Sequence, residues 1–408
     1  MRRWARVVAA LVTAVVHVAV LAPLAEGHSV IVGPVFQPQA EAILDGALPY
    51  EERGFEYPPL ALPLLLAPGV VSDDVTGYVE AFSWEMIAID LAIVALLALG
   101  LRAASTRVAA ALVCYSAGIF VLSGVLAPDS ALDASLPLAR FDLVPAALVL
   151  AALLAREAGR SATWSALLSI GAAVKAYPLL LYPVLVRGDR SPRSVAIAAI
   201  VPLAVVAVVV LATGDRFGSA ISYQSDRDLQ IETVAATPLL VAHLLGGGAG
   251  ITVGAGSFNI DASGADAARA ISVVLLLAGY ALVVWLAWRS KAPPMHAAAA
   301  VIAVAIVFAP VLSPQFLLWL LPISAAAYGL WAPNLVLLAS IVLTQVVLSE
   351  YGQLAELDAG FIVPLAIRNA LLLAYLAMVL YPMAAATGRS GYPAAPAWAT
   401  RSKFRRPA

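Results

Sequence analysis

The chain has 408 residues, of which 62% are hydrophobic and only 12% charged, with a formal net charge of −1 and a mean hydropathy of +0.93. That composition excludes an ordinary soluble domain. A single cysteine, Cys114, excludes an intrachain disulfide. The aromatic fraction and the absence of a nucleic-acid motif argue against nucleic-acid binding.

Apolar blocks of about 20 residues, the length that crosses roughly 30 Å of hydrocarbon, recur along the chain. Residues 5–24 follow Arg2, Arg3 and Arg6 and read as an uncleaved first transmembrane helix, since many spans come after it. The loop 25–78 is acidic, with Glu41, Asp45, Glu51, Glu52 and Glu56 against Arg53. Within it, residues 36–46 read as a short helix with Gln37, Glu41 and Asp45 on one face and Phe36, Ala40, Ile43 and Leu44 on the other. Residues 58–71 are apolar but rich in proline, and dip into one leaflet without crossing. Further helices are predicted over 79–101, 108–126, 140–155, 195–213, 266–288, 295–312, 316–330, 335–349 and 361–386. Segment 161–186 has Arg on both flanks and is broken at Lys175-Ala176-Tyr177-Pro178, giving two half-helices that meet at Lys175. The loop 214–265 holds a polar stretch, an apolar helix near 234–245, and then GGGAG and VGAGSFN, which read as flexible linker. The fold class is an all-α polytopic membrane protein with ten long spans plus the broken pair. Residues 1–386 form the transmembrane domain and 387–408 a basic, disordered tail.

Most of the 24 Lys and Arg fall in short loops: 102–107, 156–160, 187–193, 289–291 and the two termini. The positive-inside rule makes those loops and both termini cytoplasmic and the loops 25–78 and 214–265 external. Seven basic residues escape this pattern: Arg53, Arg140, Lys175, Arg216, Arg227, Arg269 and Arg368. A cation deep in a bilayer costs at least about 2.5–3.5 kcal/mol, so it is paired or faces a polar cavity. One reading is that the group surrounds a lipid phosphate. The other is local ion pairs: Arg140 with Asp142, Arg269 with Asp266, Arg216 with Asp215. Asp90, in the middle of the 79–101 helix, is expected to pair with a deep Arg or Lys, and with Glu85 it is also a candidate proton relay. Tyr57 reads as an interfacial anchor. Ser313-Pro314 reads as a helix start, Ser at the N-cap and Pro at N1. Gln315 could bond a sugar hydroxyl, and Trp319 could stack on a sugar or a lipid.

Five segments, in order, carry a resemblance to a known family: AEAILDGALPYEERGFEYPPLALP (40–63), RFDLVPAALVLAALLAR (140–156), GAAVKAYPLLLYPVL (171–185), SDRDLQIET (225–233) and VLSPQFLLWLLP (311–322). Together they resemble glycosyltransferase family 87, a polytopic GT-C group. The resemblance implies an enzyme, a hexosyltransferase and in the first place a mannosyltransferase. It would use a polyprenyl-phosphate sugar as donor and an envelope glycolipid or glycan as acceptor, on the outer face of the plasma membrane. Membrane lipids are its other partners, and no cofactor is implied. Asp226 and Asp228 could hold a divalent ion, but a lipid monophosphate donor gives little need for one.

A lipid phosphate leaving group needs positive charge around it, and the acceptor hydroxyl needs one general base. Arg140, Lys175, Tyr177, Arg227, Gln315 and Arg368 are the substrate-binding candidates. The family's catalytic Asp, just after the first helix, aligns with Val32, and a position where many relatives have His aligns with Gln224. Val cannot accept a proton, so the base candidates are Glu41, then Glu56, then His28. Two other readings stand beside the transferase: a catalytically silent relative that binds a lipid-linked sugar or partners a transferase, and a proton-coupled transporter. Missing repeat symmetry argues against the last.

Overall fold

The computed structural model describes residues 2–26, 29, 31–50, 57–125, 135–187, 227–254, 256–349, 351 and 357–387, with isolated positions between 192 and 211. The acids Glu51, Glu52 and Glu56, His28, most of the predicted helix 195–213, Gln224, Asp226 and the tail from 388 lie outside the described residues.

The protein is an all-α polytopic membrane bundle. Among the described residues, six helices are long and apolar enough to cross a bilayer: α1 (Arg2–Ala25), α4 (Val75–Ala95, running on through a π-turn to Gly100), α5 (Ser105–Leu122), α9 (Ala265–Ser290), α12 (Ala332–Ser349) and α13 (Ala359–Ala386). Shorter elements complete the set: α2 (Gln37–Leu44), α3 (Leu62–Val71), α6 (Leu143–Glu157), α7 (Ser161–Val174), α8 (Thr237–Leu244), α10 (Pro294–Phe308) and α11 (Leu317–Tyr328). The expectation of ten long spans is not confirmed among the described residues. Three of those segments became helices of 15, 15 and 12 residues (α6, α10 and α11). Twelve residues rise only about 18 Å. Composition alone marks them as spans, but α11 is buried along its whole length and α10 along most of it. They form the middle of the bundle, where small residues such as Ala297 to Ala300 let neighbours approach.

A second correction concerns the glycine-rich segment. GGGAG and VGAGSFN do not form a linker: β1 (Ala249–Gly254) pairs antiparallel with β2 (Ser257–Ala262), from Ala249 opposite Ala262 to Gly254 opposite Ser257. Gln230 bridges to Asn259 at the free edge, so the hairpin is tied to the loop before α8.

The two ends of the bundle differ. At the basic end the arginines of the short loops donate to carbonyls at helix ends. Arg6 Nη1 bonds Leu101 O at 2.8 Å, Arg107 Nη2 bonds Ala327 O at 2.8 Å, and Arg156 bonds Leu185 O and Arg187 O at 2.8 and 2.7 Å. Arg187 reaches Ala287 O and Ala292 O. These carbonyls have no partner within their own helices, and cations there also meet the negative end of the helix dipole. At the opposite end, Asp74 accepts from Gly77 N at 2.9 Å and Asp358 from Phe361 N at 3.0 Å, capping α4 and α13. The Gly77 amide and the Ser72 hydroxyl hold the Asp74 carboxyl below the usual carboxylate range.

Inside the bundle, Asp90 is paired with His17 and not with a deep Arg or Lys. Its Oδ2 lies 2.6 Å from His17 Nδ1, its Oδ1 accepts from Tyr115 OH at 2.7 Å, and His17 Nε2 lies 2.8 Å from Ser116 Oγ. The network ties α1 to α4 and α5 at full burial of His17 and Asp90. Ser116 sits within α5, where the neighbouring amides are engaged in the helix, so no oxyanion site accompanies this Ser-His-Asp array.

Packing is close where α5 crosses α11. A Cβ on Gly118 would fall 2.6 Å from Leu321 Cδ1. Gly329, at φ 58° and ψ −124°, ends α11 in a conformation that suits glycine. Gly118→Val is expected to lower stability by about 1–3 kcal/mol through overpacking, read as a fall in the thermal midpoint of the purified protein in detergent.

Candidate functional site

The site is built at the break after α7. Gly171 to Val174 close the helix, and Pro178 disfavours its continuation through Tyr177. Lys175 is left extended at φ −154° and ψ 134°, with its amide still bonded to Gly171 O at 2.9 Å. The chain resumes as a 3-10 turn over Tyr177–Leu181. This break turns the Lys175 side chain toward Asp142, the residue that opens α6.

Lys175 Nζ donates to Asp142 Oδ1 at 2.7 Å. The same oxygen accepts the Trp319 indole N–H at 2.5 Å. Asp142 therefore does not pair with Arg140, as the sequence neighbourhood suggested. Arg140 is extended, and its Nη1 bonds Ala139 O at 2.9 Å.

Four rings stand around the ammonium: Phe141 and Trp319 at 5.4 Å, Tyr57 at 5.7 Å and Phe316 at 5.9 Å. Each is within cation–π reach. Phe36, on the loop after α1, closes the wall against Phe82, Phe141 and Tyr57, with centroids 5.6 to 6.3 Å away. Lys175 keeps 15% of its side chain exposed, while Asp142 keeps 2%. The result is one cation, charge-compensated on its inner side and accessible on the other, at the mouth of an aromatic recess.

Tyr177 and Trp319 stack at 4.2 Å, and Phe316 stacks on Trp319 at 4.0 Å. Trp319 is thus packed within the protein and does not offer its face to a sugar or lipid as expected. Tyr57 belongs to the wall beside Lys175, not to an interfacial belt. The Tyr177 hydroxyl is buried, close enough to Asp142 to feel its charge, and has no hydrogen-bond partner among the described residues. Gln315 is half-buried in the turn before α11, next to Phe316. Ser313 occupies the N-cap position of that turn, but its hydroxyl makes no cap.

The other predicted residues lie elsewhere. Arg368 is fully buried in α13. Its Nη2 bonds Glu232 O at 2.9 Å and lies 3.7 Å from Glu232 Oε2, while Asn369 holds the carbonyls of Glu232 and Thr233 at 3.2 Å. Tyr351 donates its hydroxyl to Glu232 Oε1. Burial pushes the Glu232 carboxyl up to about 7, against the pull of Arg368 and Tyr351. This cluster anchors the 229–237 loop onto α13, and Arg140 acts through space on its Tyr351. Arg227 is half-buried at the start of that loop. Glu41 lies on the exposed face of α2 and accepts from Gln37 Nε2 at 2.6 Å. Gln37 itself is buried, so the α2 face expected to be solvated is only partly so. Val32 is completely buried. A separate open cleft of about 330 Å³ lies between the hairpin and the start of α9, lined in part by Asp228, Asp261 and Asp266, away from Lys175.

Asp142, Phe36, Phe141 and Phe316 were not singled out from the sequence as site residues. Their signal was present in RFD and SPQF, each an aromatic beside a polar residue at a helix start. For the Arg368 cluster, Arg368→Met leaves Glu232 buried without its counter-charge, and a loss of about 3–5 kcal/mol is expected. Arg368→Met/Glu232→Leu is expected to regain most of it, both measured by thermal unfolding.

Comparison with known proteins adds one positive finding. The chain matches no curated protein. The model of glycosyltransferase family 87 matches residues 55–314, well over half of the chain, and spans Tyr57, Phe141, Asp142 and Lys175. With its bundle of apolar helices and a family match over residues 55–314, the chain belongs to glycosyltransferase family 87.

Proposed function

We propose that this protein is an active GT-C hexosyltransferase, mannose being the first sugar to test. It moves the sugar from a polyprenyl-phosphate donor to an envelope glycolipid or glycan at the outer face of the plasma membrane. The observation that carries this reading is the Lys175 recess. An accessible ammonium sits at the mouth of an aromatic pocket, at the end of the bundle opposite the arginine-rich loops. By the positive-inside rule that end faces outward. A lipid phosphate brings one negative charge and an apolar tail to such a place, and Lys175 with Tyr177 and Gln315 is the polar set proposed to meet it; Arg140 and Arg227 stay as substrate-binding candidates from the sequence alone. Arg368 serves the site by holding the 229–237 loop.

The chemistry needs charge stabilisation of the departing phosphate and a base for the acceptor hydroxyl. Lys175 supplies the first. For the second, Glu41 stands on a helix seated against the bundle through Phe36 and Ala40. Glu56 directly precedes Tyr57, which lines the recess. His28 is the third choice. A second reading is favoured by Val32, a buried aliphatic residue that the sequence resemblance aligns with the family's catalytic acid. In that reading the chain binds the lipid-linked sugar without transferring it.

Purified protein in nanodiscs with labelled polyprenyl-phosphate mannose and membrane extract tests both. Transfer is expected, and Lys175→Met is expected to reduce it by about 100-fold or more, as for loss of a charge-stabilising donor. One of Glu41→Gln, Glu56→Gln or His28→Ala should abolish transfer while sparing donor binding. Donor binding with no transfer by the unaltered protein selects the silent reading. Neither binding nor transfer overturns both.

A further inference from the structure

We propose that Asp142 is a positioning residue of the donor site, fixing through one oxygen where the Lys175 ammonium meets a lipid phosphate. The proposal rests on the reading of Lys175 as the phosphate contact. Asp142 occupies the N-cap position of α6, where an Asp side chain ordinarily accepts from its own helix, yet it makes no such cap. Its Oδ1 is committed instead to Lys175 Nζ at 2.7 Å and to Trp319 Nε1 at 2.5 Å. Trp319 is packed against Tyr177 and Phe316, so the carboxylate is located by the aromatic framework of the recess and not by a mobile partner.

The consequence for Lys175 is geometric. A lysine on a flexible four-carbon stem is a poor fixed donor by itself. Held by Asp142 on one side and by four rings around it, the ammonium has two N–H groups left. The nearby Tyr177 hydroxyl, buried and unpartnered among the described residues, adds a third polar group at the recess. A phosphate monoanion with several acceptor oxygens suits that set. Asp142 also keeps the cation charge-compensated while the site is empty, which lowers the cost of holding it in an apolar wall.

The test is a double-mutant cycle in the full-length protein in nanodiscs, with polyprenyl phosphate for binding and labelled polyprenyl-phosphate mannose for transfer. Asp142→Ala is expected to raise the donor KM by about tenfold, within the range for coupled contacting residues, with Asp142→Asn intermediate. Asp142→Ala/Lys175→Met should be no worse than Lys175→Met alone. The Trp319 indole N–H signal, assigned by its loss in Trp319→Phe, should shift when polyprenyl phosphate is added. That shift should vanish in Lys175→Met. Independent, multiplying losses, or an unchanged KM in Asp142→Ala, overturn the positioning role while leaving the donor reading intact. If Asp142→Ala does not fold, Asp142→Asn with the indole signal decides. A Trp319 signal unmoved by a donor that does bind also overturns the proposal. An unaltered protein that binds no polyprenyl phosphate fails one step earlier, at the donor reading itself.

Discussion

The Asp142–Lys175 pair is the contact on which the site depends. It joins the helix start after RF to the break in KAYP, two points 33 residues apart, and brings Trp319 from a third segment to the same oxygen. An ion pair at an apolar surface does not add much stability by itself, because desolvation offsets attraction. What it contributes is definition. It makes a lysine at a broken helix into a fixed point, and the rings of Phe141, Phe316, Trp319 and Tyr57 then enclose a recess of definite shape. Without the break at Pro178 the helix would continue past Lys175, and the side chain would face whichever direction the helical phase dictated.

The charges of the bundle divide by task. At one end, arginines satisfy helix carbonyls in the loops themselves: Arg6, Arg107, Arg156 and Arg187 all do this. The arginines from which the positive-inside rule reads an orientation are thus also structural caps. At the other end the cations are turned inward and compensated, Lys175 by Asp142 and Arg368 by Glu232. Deeper still, Asp90 and His17 are hydrogen-bonded to one another. Of the three pairs, the Lys175 pair keeps an accessible side. That asymmetry separates a binding group from two that hold helices and loops in place.

Much of this was readable from the chain, because membrane helices announce themselves by length and composition. The break at Lys175 was also legible, since a charge and a proline in one apolar block leave few alternatives. What escaped shares a cause. The partners of Asp90 and Asp142 lie 73 and 33 residues away, and nearest-neighbour reasoning offered Arg140, whose extended backbone sends it elsewhere. The hairpin was hidden because glycines dilute the alternation of Ile251, Val253, Phe258 and Ile260, and its order comes from pairing with a loop edge at Gln230. Helices α10 and α11 read as spans because a helix buried in protein and one buried in lipid have the same hydropathy. Arg368 was legible as a deep cation, but not as one already committed to Glu232.

The proposed donor also makes sense of why the recess cation is compensated. A sugar-phospholipid of this class carries one charge on its phosphate, and the departing lipid phosphate carries up to two. Lys175 with Asp142 sums to zero, so the resting recess attracts the donor weakly through charge and mainly through its apolar walls and hydrogen-bond geometry. As the glycosidic bond breaks, negative charge grows on the phosphate oxygens, and the Lys175 ammonium gains more from them than it did from the ground state. Stabilisation that increases along the reaction raises turnover. On this reading the carboxylate of Asp142 keeps the Lys175 ammonium where that growing charge appears.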